Sequence, residues 1–145
     1  MTDWLLDTNV VSELRRPRPD AGVVDFLGAY PIETFFLPSI VIAEIRYGIA
    51  LLDSPERRSV YEDWLHTTVR PMFEGRILQL TEDALVRWRI IAREGRRQGY
   101  TFPEPDLLIA AIAIENGMTV VTRNTSDFER AGVLVFNPWS FRSHI

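Results

Sequence analysis

The sequence predicts a three-layer α/β/α fold with a mainly parallel central sheet, and three observations lead there. Short apolar runs alternate with stretches of helical periodicity along the whole chain, the pattern that right-handed crossovers between parallel strands produce. No internal repeat, low-complexity tract or Gly/Ser linker interrupts that alternation. A length of 145 residues suits one hydrophobic core, so residues 1–145 are expected to form a single domain.

"WLL" reads as a short buried strand, and "VVSELRR" begins a helix that stops at "RPRP", where the prolines cannot continue it. "GVVDFLGAY" has helical spacing with Val23, Val24, Phe26 and Leu27 on one side, and "TFFL" is the second strand. Ser39 is the expected N-cap of the helix "IVIAEIRYGIALL", and a polar amphipathic helix follows from about residue 55 to 69. "RILQL" is a third strand. Thr81 then caps "EDALVRWRIIAREGRRQG", which carries acids in its first turn and arginines in its last, as the helix dipole favours. "PDLLIAAIAIENG" is almost continuously apolar, which predicts a mostly buried helix closed by Gly117. "MTVVT" and "VLVFNP" supply the last two strands.

Composition excludes several chemistries. There is no cysteine, so thiolate metal sites and thiol nucleophiles are absent, and the only histidines are His66 and His144. All 16 basic residues are arginine, which removes P-loop and Schiff-base mechanisms because both need a lysine. No apolar run approaches the roughly 20 residues that span a bilayer, and no secretory signal pattern opens the chain, so no membrane association and a cytoplasmic location are expected. A net charge of -4 argues against nucleic-acid binding by the whole surface. Local arginine groups, Arg15 to Arg18 and the end of the helix that Thr81 caps, are either phosphate contacts or solvated faces. Trp4, Trp64, Trp88 and Trp139 read as core or interface residues rather than base-stacking platforms.

Ligands of parallel α/β sheets bind beyond the carboxyl ends of the strands, and the acids fall there. Asp7 ends the first strand, Glu44 lies early in the helix after the second, Asp106 opens the buried helix, and Asn124 and Asp127 follow the fourth strand in "TRNTSDF". Each has an ordinary alternative. Asp7 alone could be a turn former, Glu44 an ion-pair partner of Arg46 or another arginine, and Asp106 a helix-start carboxylate facing the dipole. Convergence on one rim favours function: carboxylates gathered without lysine or histidine call for a divalent cation, and hard oxygen donors suit Mg²⁺ or Mn²⁺. Such a site fits hydrolysis of a nucleic-acid phosphodiester. Thr8, Thr122 and Asn124 either orient these groups or make ordinary strand-end hydrogen bonds.

"LLDTNVVSEL", "SIVIAEIRYGIALL", "PDLLIAAIAIENGMTVVTRNTSDF" and "VFNPW", in that order over nearly the whole chain, resemble the PIN-domain ribonuclease toxins of the VapC type, particularly the FitB-like branch. The resemblance implies a parallel sheet between helices, an acidic Mg²⁺ or Mn²⁺ site that cleaves RNA, and Asp7, Glu44 and Asp106 as its acids. Many members carry a fourth acid where this chain has Asn124, so either Asp127 supplies that charge or three carboxylates and an amide suffice. It further implies a homodimer and a VapB-type antitoxin through which alone the protein meets operator DNA. The altered fourth position leaves a second expectation, a catalytically impaired PIN-fold module acting only within an antitoxin–operator complex. Phosphate-receiver and haloacid-dehalogenase-like chemistry is excluded by the missing lysine.

Overall fold

Leu5 and Leu6 have no exposed surface, as strands covered on both faces of a parallel sheet require. The structure, a computed structural model, describes residues 1–142; His144 lies outside them. The strands are β1 (Trp4–Leu6), β2 (Phe35–Pro38), β3 (Ile77–Leu78), β4 (Thr119–Val121) and β5 (Val135–Phe136). They form one sheet in the order β3-β2-β1-β4-β5, and every pairing is parallel. The helices between them are α1 (Thr8–Leu14), α2 (Ala21–Ala29), α3 (Ser39–Ala50), α4 (Pro55–Trp64), α5 (Arg70–Met72), α6 (Glu82–Arg97), α7 (Glu104–Asn116) and α8 (Thr125–Arg130). The predicted fold class holds. Among the described residues no helix is long and apolar enough to cross a membrane.

The element boundaries differ where local geometry overrides pattern. α1 starts at Thr8 rather than Val10, because Asp7 sits in extended backbone and its side chain accepts the Thr8 N–H. Ser39 is not a cap: Pro38 holds the N-cap position of α3 with no side-chain bond, and its restricted φ of -76° turns β2 straight into the helix. In α2, Val23 and Phe26 are buried but Val24 is 47% exposed, since one residue rotates the side chain about 100° away from the face that Val23 and Phe26 share. The polar helix ends regularly at Trp64 and continues as a π-helical turn, Leu65–Val69, which buries Leu65 and Val69. Neither α8 nor the 3-10 turn Pro138–Ser140 is visible in the periodicity, being six and three residues long. Thr81 and Gly117 do cap as expected, Gly117 in the left-handed conformation at φ 64°.

The sheet places the site. From β1 the chain winds outward through β2 to β3, then returns to pair β4 on the other side of β1, so the order reverses between β1 and β4. A crevice opens at the carboxyl ends of strands beside such a reversal. Leu6 pairs with Val121, and the next residues, Asp7 and Thr122, leave the two strands side by side. The Asp7 N–H still donates to the Val121 carbonyl at 3.0 Å.

Phe26 of α2 packs edge-on to Trp4 at 5.0 Å and stacks on Phe136 at 4.8 Å. That packing needs α2 close to the C-terminal turn. A Cβ on Gly22 would lie 2.6 Å from the Pro138 carbonyl oxygen and 3.0 Å from that of Trp139. Gly22→Ala is therefore expected to lower stability by about 1–3 kcal/mol, measured by chemical denaturation; an unchanged midpoint would mean that this turn yields without loss.

Candidate active site

Asp7 is 5% exposed, and both of its oxygens are engaged. Oδ1 accepts the Thr8 N–H at 2.7 Å, and Oδ2 accepts the Thr122 hydroxyl at 2.8 Å and the Asn9 amide at 3.4 Å. Glu44, half-buried on α3, accepts the Thr8 hydroxyl at 2.8 Å. The ion pairs among the described residues join Arg16 to Glu13, Arg87 to Glu115 and Arg97 to Glu94. Glu44 therefore has no arginine partner there, and the ion-pair alternative for it fails.

Asp106 lies in the first turn of α7, half-buried, and accepts the Asn124 amide at 3.0 Å. The same amide reaches Asp127 at 3.2 Å, while the Asn124 backbone N–H donates to the Thr122 hydroxyl at 3.0 Å. Asp127 also accepts the Tyr100 hydroxyl. One continuous hydrogen-bond network thus runs from Glu44 through Thr8, Asp7 and Thr122 to Asn124, where it divides to Asp106 and Asp127. It contains every candidate that the sequence singles out. These residues come from separate segments, gathered because β1 and β4 are neighbours and α3 and α7 pack beside them.

Two members of the network carry no such mark in the sequence. Asn9 donates to Thr122 at 3.3 Å and accepts the Arg123 N–H at 3.3 Å, pinning the end of β4 to the first turn of α1. Its spacing from Asp7 is a usable signal, since both stand at a helix start. Tyr100 sits in the loop before α7, where no local pattern points to it. Its loop is held close to α6, as the Tyr100 N–H donates to the Gly95 carbonyl at 2.8 Å.

The electrostatics are those of crowded acids. Burial pushes the Asp7 carboxyl up to about 6, against the hydrogen bonds from Thr122 and Thr8, with the charges of Asp106 and Glu44 adding to the rise. Asp106 is also raised, by burial and then by Glu44, while Asn124 opposes the shift. The donors are hard oxygens, as a Mg²⁺ or Mn²⁺ ion requires. Among the described residues, however, no three Asp, Glu or His groups are close enough together to hold one ion as they stand; Glu44 is bonded to Thr8 and Asp106 to Asn124.

The fold on its five-stranded parallel sheet agrees with the comparison to known proteins. The family model for the PIN domain matches residues 4–134. The chain belongs to the PIN-domain family. Its relatives include the VapC ribonuclease Y4jK of Sinorhizobium fredii, 38% identical over 93% of this chain and 96% of that protein. Another is Toxin FitB of Neisseria gonorrhoeae, 39% identical over 93% of this chain and 97% of that one. The PIN fold superposes on the solved structure of FitAB bound to a DNA fragment with a TM-score of 0.88 at 38% identity, covering 98% of this chain and 99% of that one.

The raised Asp7 proton affinity has a definite sign. Between its unfolded value of 3.8 and its folded value of about 6, the folded PIN domain retains a proton that the unfolded chain has lost. Stability of the metal-free protein should therefore fall as pH rises through that window, by about 3 kcal/mol from this group at about 1.4 kcal/mol per tenfold change in proton affinity. Asp7→Asn should flatten the fall and be the more stable form in EDTA above pH 6. Denaturant midpoints across that range check this; a wild-type midpoint that climbs with pH would contradict it.

Proposed function

We propose that this PIN domain is the ribonuclease toxin of a VapBC-type toxin–antitoxin pair, a Mg²⁺- or Mn²⁺-dependent endoribonuclease that hydrolyses RNA phosphodiesters. The observation that carries the reading is three carboxylates from β1, α3 and α7 at one sheet rim, two of them with raised proton affinity and Glu44 without an arginine partner among the described residues. Relatives named as a VapC ribonuclease and as a toxin, at 38% and 39% identity, support it.

In this reading Asp7, Glu44 and Asp106 hold the ion. When bound, it supplies Lewis acidity and lowers the pKa of a coordinated water. The chain's own part is orientation: Thr8 aligns Glu44 relative to Asp7, Thr122 fixes the buried Asp7 carboxylate, and Asn124 bridges Asp106 and Asp127 by donating to both. The bonds to Glu44 and Asp106 each engage one carboxylate oxygen, Oε1 and Oδ2, so the other oxygen of each would be the one to face the cation. The single domain also pairs with a VapB-type antitoxin and meets operator DNA only through it, a reading supported by the DNA-bound FitAB assembly. A homodimer would cover the apolar face of α6, where Leu85, Val86 and Ile90 are exposed.

The test is cleavage of RNA by the purified protein with Mg²⁺ or Mn²⁺. EDTA should stop it, and Asp7→Asn should reduce it about a thousandfold, the scale on which a group that organises transition-state charge acts. A folded protein that binds neither ion and cuts no RNA would leave only the binding-module reading.

Two finer outcomes follow from the geometry. Metal affinity should rise from pH 5 to pH 7, because the ion must displace the proton that Asp7 holds up to about 6; isothermal titration across that range would detect it. Asn124→Asp replaces the amide that donates to Asp106 and Asp127 with a further charge. Its metal-free melting temperature should drop below wild type while its stabilisation by Mn²⁺ grows, the two shifts being read by thermal unfolding with and without the ion.

A further inference from the structure

A groove borders the acidic rim on the α1 side. One cavity of about 500 Å³ is lined by Glu13, Arg16, Arg18, Arg123 and Trp139 among others, and a second of about 280 Å³ by Asn9, Arg15 and four of the same residues. Sharing Glu13, Arg16, Arg123 and Trp139, the two are continuous, and Asn9 is the amide that bonds Asp7 and Thr122. The groove therefore leads into the site.

Its charge is locally basic in a chain of net charge -4. Two carboxylates line it, but both are occupied. Glu13 accepts the Asp20 N–H at 2.8 Å and Arg16 at 3.3 Å, and Asp20 caps α2 through the N–H groups of Gly22 and Val23. Arg18 and Arg123 are exposed and have no carboxylate within ion-pair distance among the described residues. The Arg123 guanidinium stands 5.1 Å from the centre of the Trp139 ring, a flat cation held on an aromatic face. Stacked arginine and tryptophan accept an unpaired base, and free arginines accept phosphates.

We propose that this groove is the subsite for single-stranded RNA flanking the scissile phosphate, with Arg18 on the backbone and the Arg123–Trp139 pair stacking a base. It rests on the nuclease reading for its substrate class. It also answers a physical need: the rim of Asp7, Glu44, Asp106 and Asp127 repels a polyanion, and a protein without global positive charge must hold one with a local patch. A duplex, whose bases stay stacked, offers no free base face to that pair.

The experiment is fluorescence anisotropy in EDTA, with a short fluorescein-labelled single-stranded RNA of mixed sequence and the same strand annealed into a duplex. Wild type should prefer the single strand. Arg18→Ala with Arg123→Ala should weaken binding about tenfold and flatten the salt dependence by about 0.7 in log–log slope for each phosphate no longer neutralised. Trp139 also packs against the core, so Trp139→Phe, which keeps a ring, is compared with Trp139→Leu; only the second should lose the single-strand preference. Arg89→Ala, on the exposed face of α6, should bind as wild type. In the cleavage assay the double variant should raise KM and leave kcat within about twofold.

Unchanged RNA affinity in the double variant overturns the proposal. So does a double variant that holds RNA normally but loses a co-expressed antitoxin, because the groove would then be that protein's seat. Failure of the nuclease reading is distinct: wild type would cut nothing with either ion while the binding loss in EDTA persisted.

Discussion

The junction at Asp7 is the constraint on which the rest of the site depends. One carboxylate closes β1, caps α1 through the Thr8 N–H and takes the hydroxyl that ends β4. It thereby ties the central pair of parallel strands together at the point where the sheet order reverses. An N-cap of this kind contributes about 1 kcal/mol to a helix. Here the capping group is also the deepest acid of the site, so helix start and candidate chemistry occupy the same atoms. Thr122 shows how tightly this is specified: its hydroxyl donates to Asp7 and accepts from Asn9 and the Asn124 backbone, using its full hydrogen-bonding capacity.

The same junction carries a cost. Burial of Asp7 beside Glu44 and Asp106 disfavours its charge, and neutral donors relieve part of that with no arginine paired to the group among the described residues. An arginine would satisfy the acids permanently and close the site to a cation. Hydroxyls and an amide hold the carboxylates in place while leaving their charge uncompensated, which is a state a divalent ion can use. Arg15, Arg16, Arg18 and Arg123 lie outside that group, along the adjoining groove. Acids and arginines are thus separated over a short distance on one face.

Much of this is legible in one dimension. The apolar runs mark all five strands, because central parallel strands are apolar on both faces, and Thr81 and Gly117 mark their helix ends. Asp7, Glu44 and Asp106 stand out as acids next to apolar runs, where a charge needs a reason. Ser39 and Val24 depart from expectation: a proline at a strand end makes the turn without a side-chain cap, and packing selects a narrower face of α2 than the pattern offers. Tyr100 is silent in the sequence and Asn9 is marked only by its spacing from Asp7, since neither polar group has a partner until β4 or α8 is beside it.

By itself the sequence determined the fold class, the exclusion of lysine and thiol chemistry, and which acids were available, since these depend on periodicity and residue type alone. Tertiary structure decided what those acids touch. It gave Glu44 the Thr8 hydroxyl as partner, with no arginine paired to it among the described residues, and made Asn124 the bridge between Asp106 and Asp127. It also set Trp139 against Arg123 beside a run of arginines from the far end of the chain. The physical reason is that hydrogen bonds and charge interactions act over a few ångströms in space, and distance along the chain carries no information about them until β1 and β4 pair.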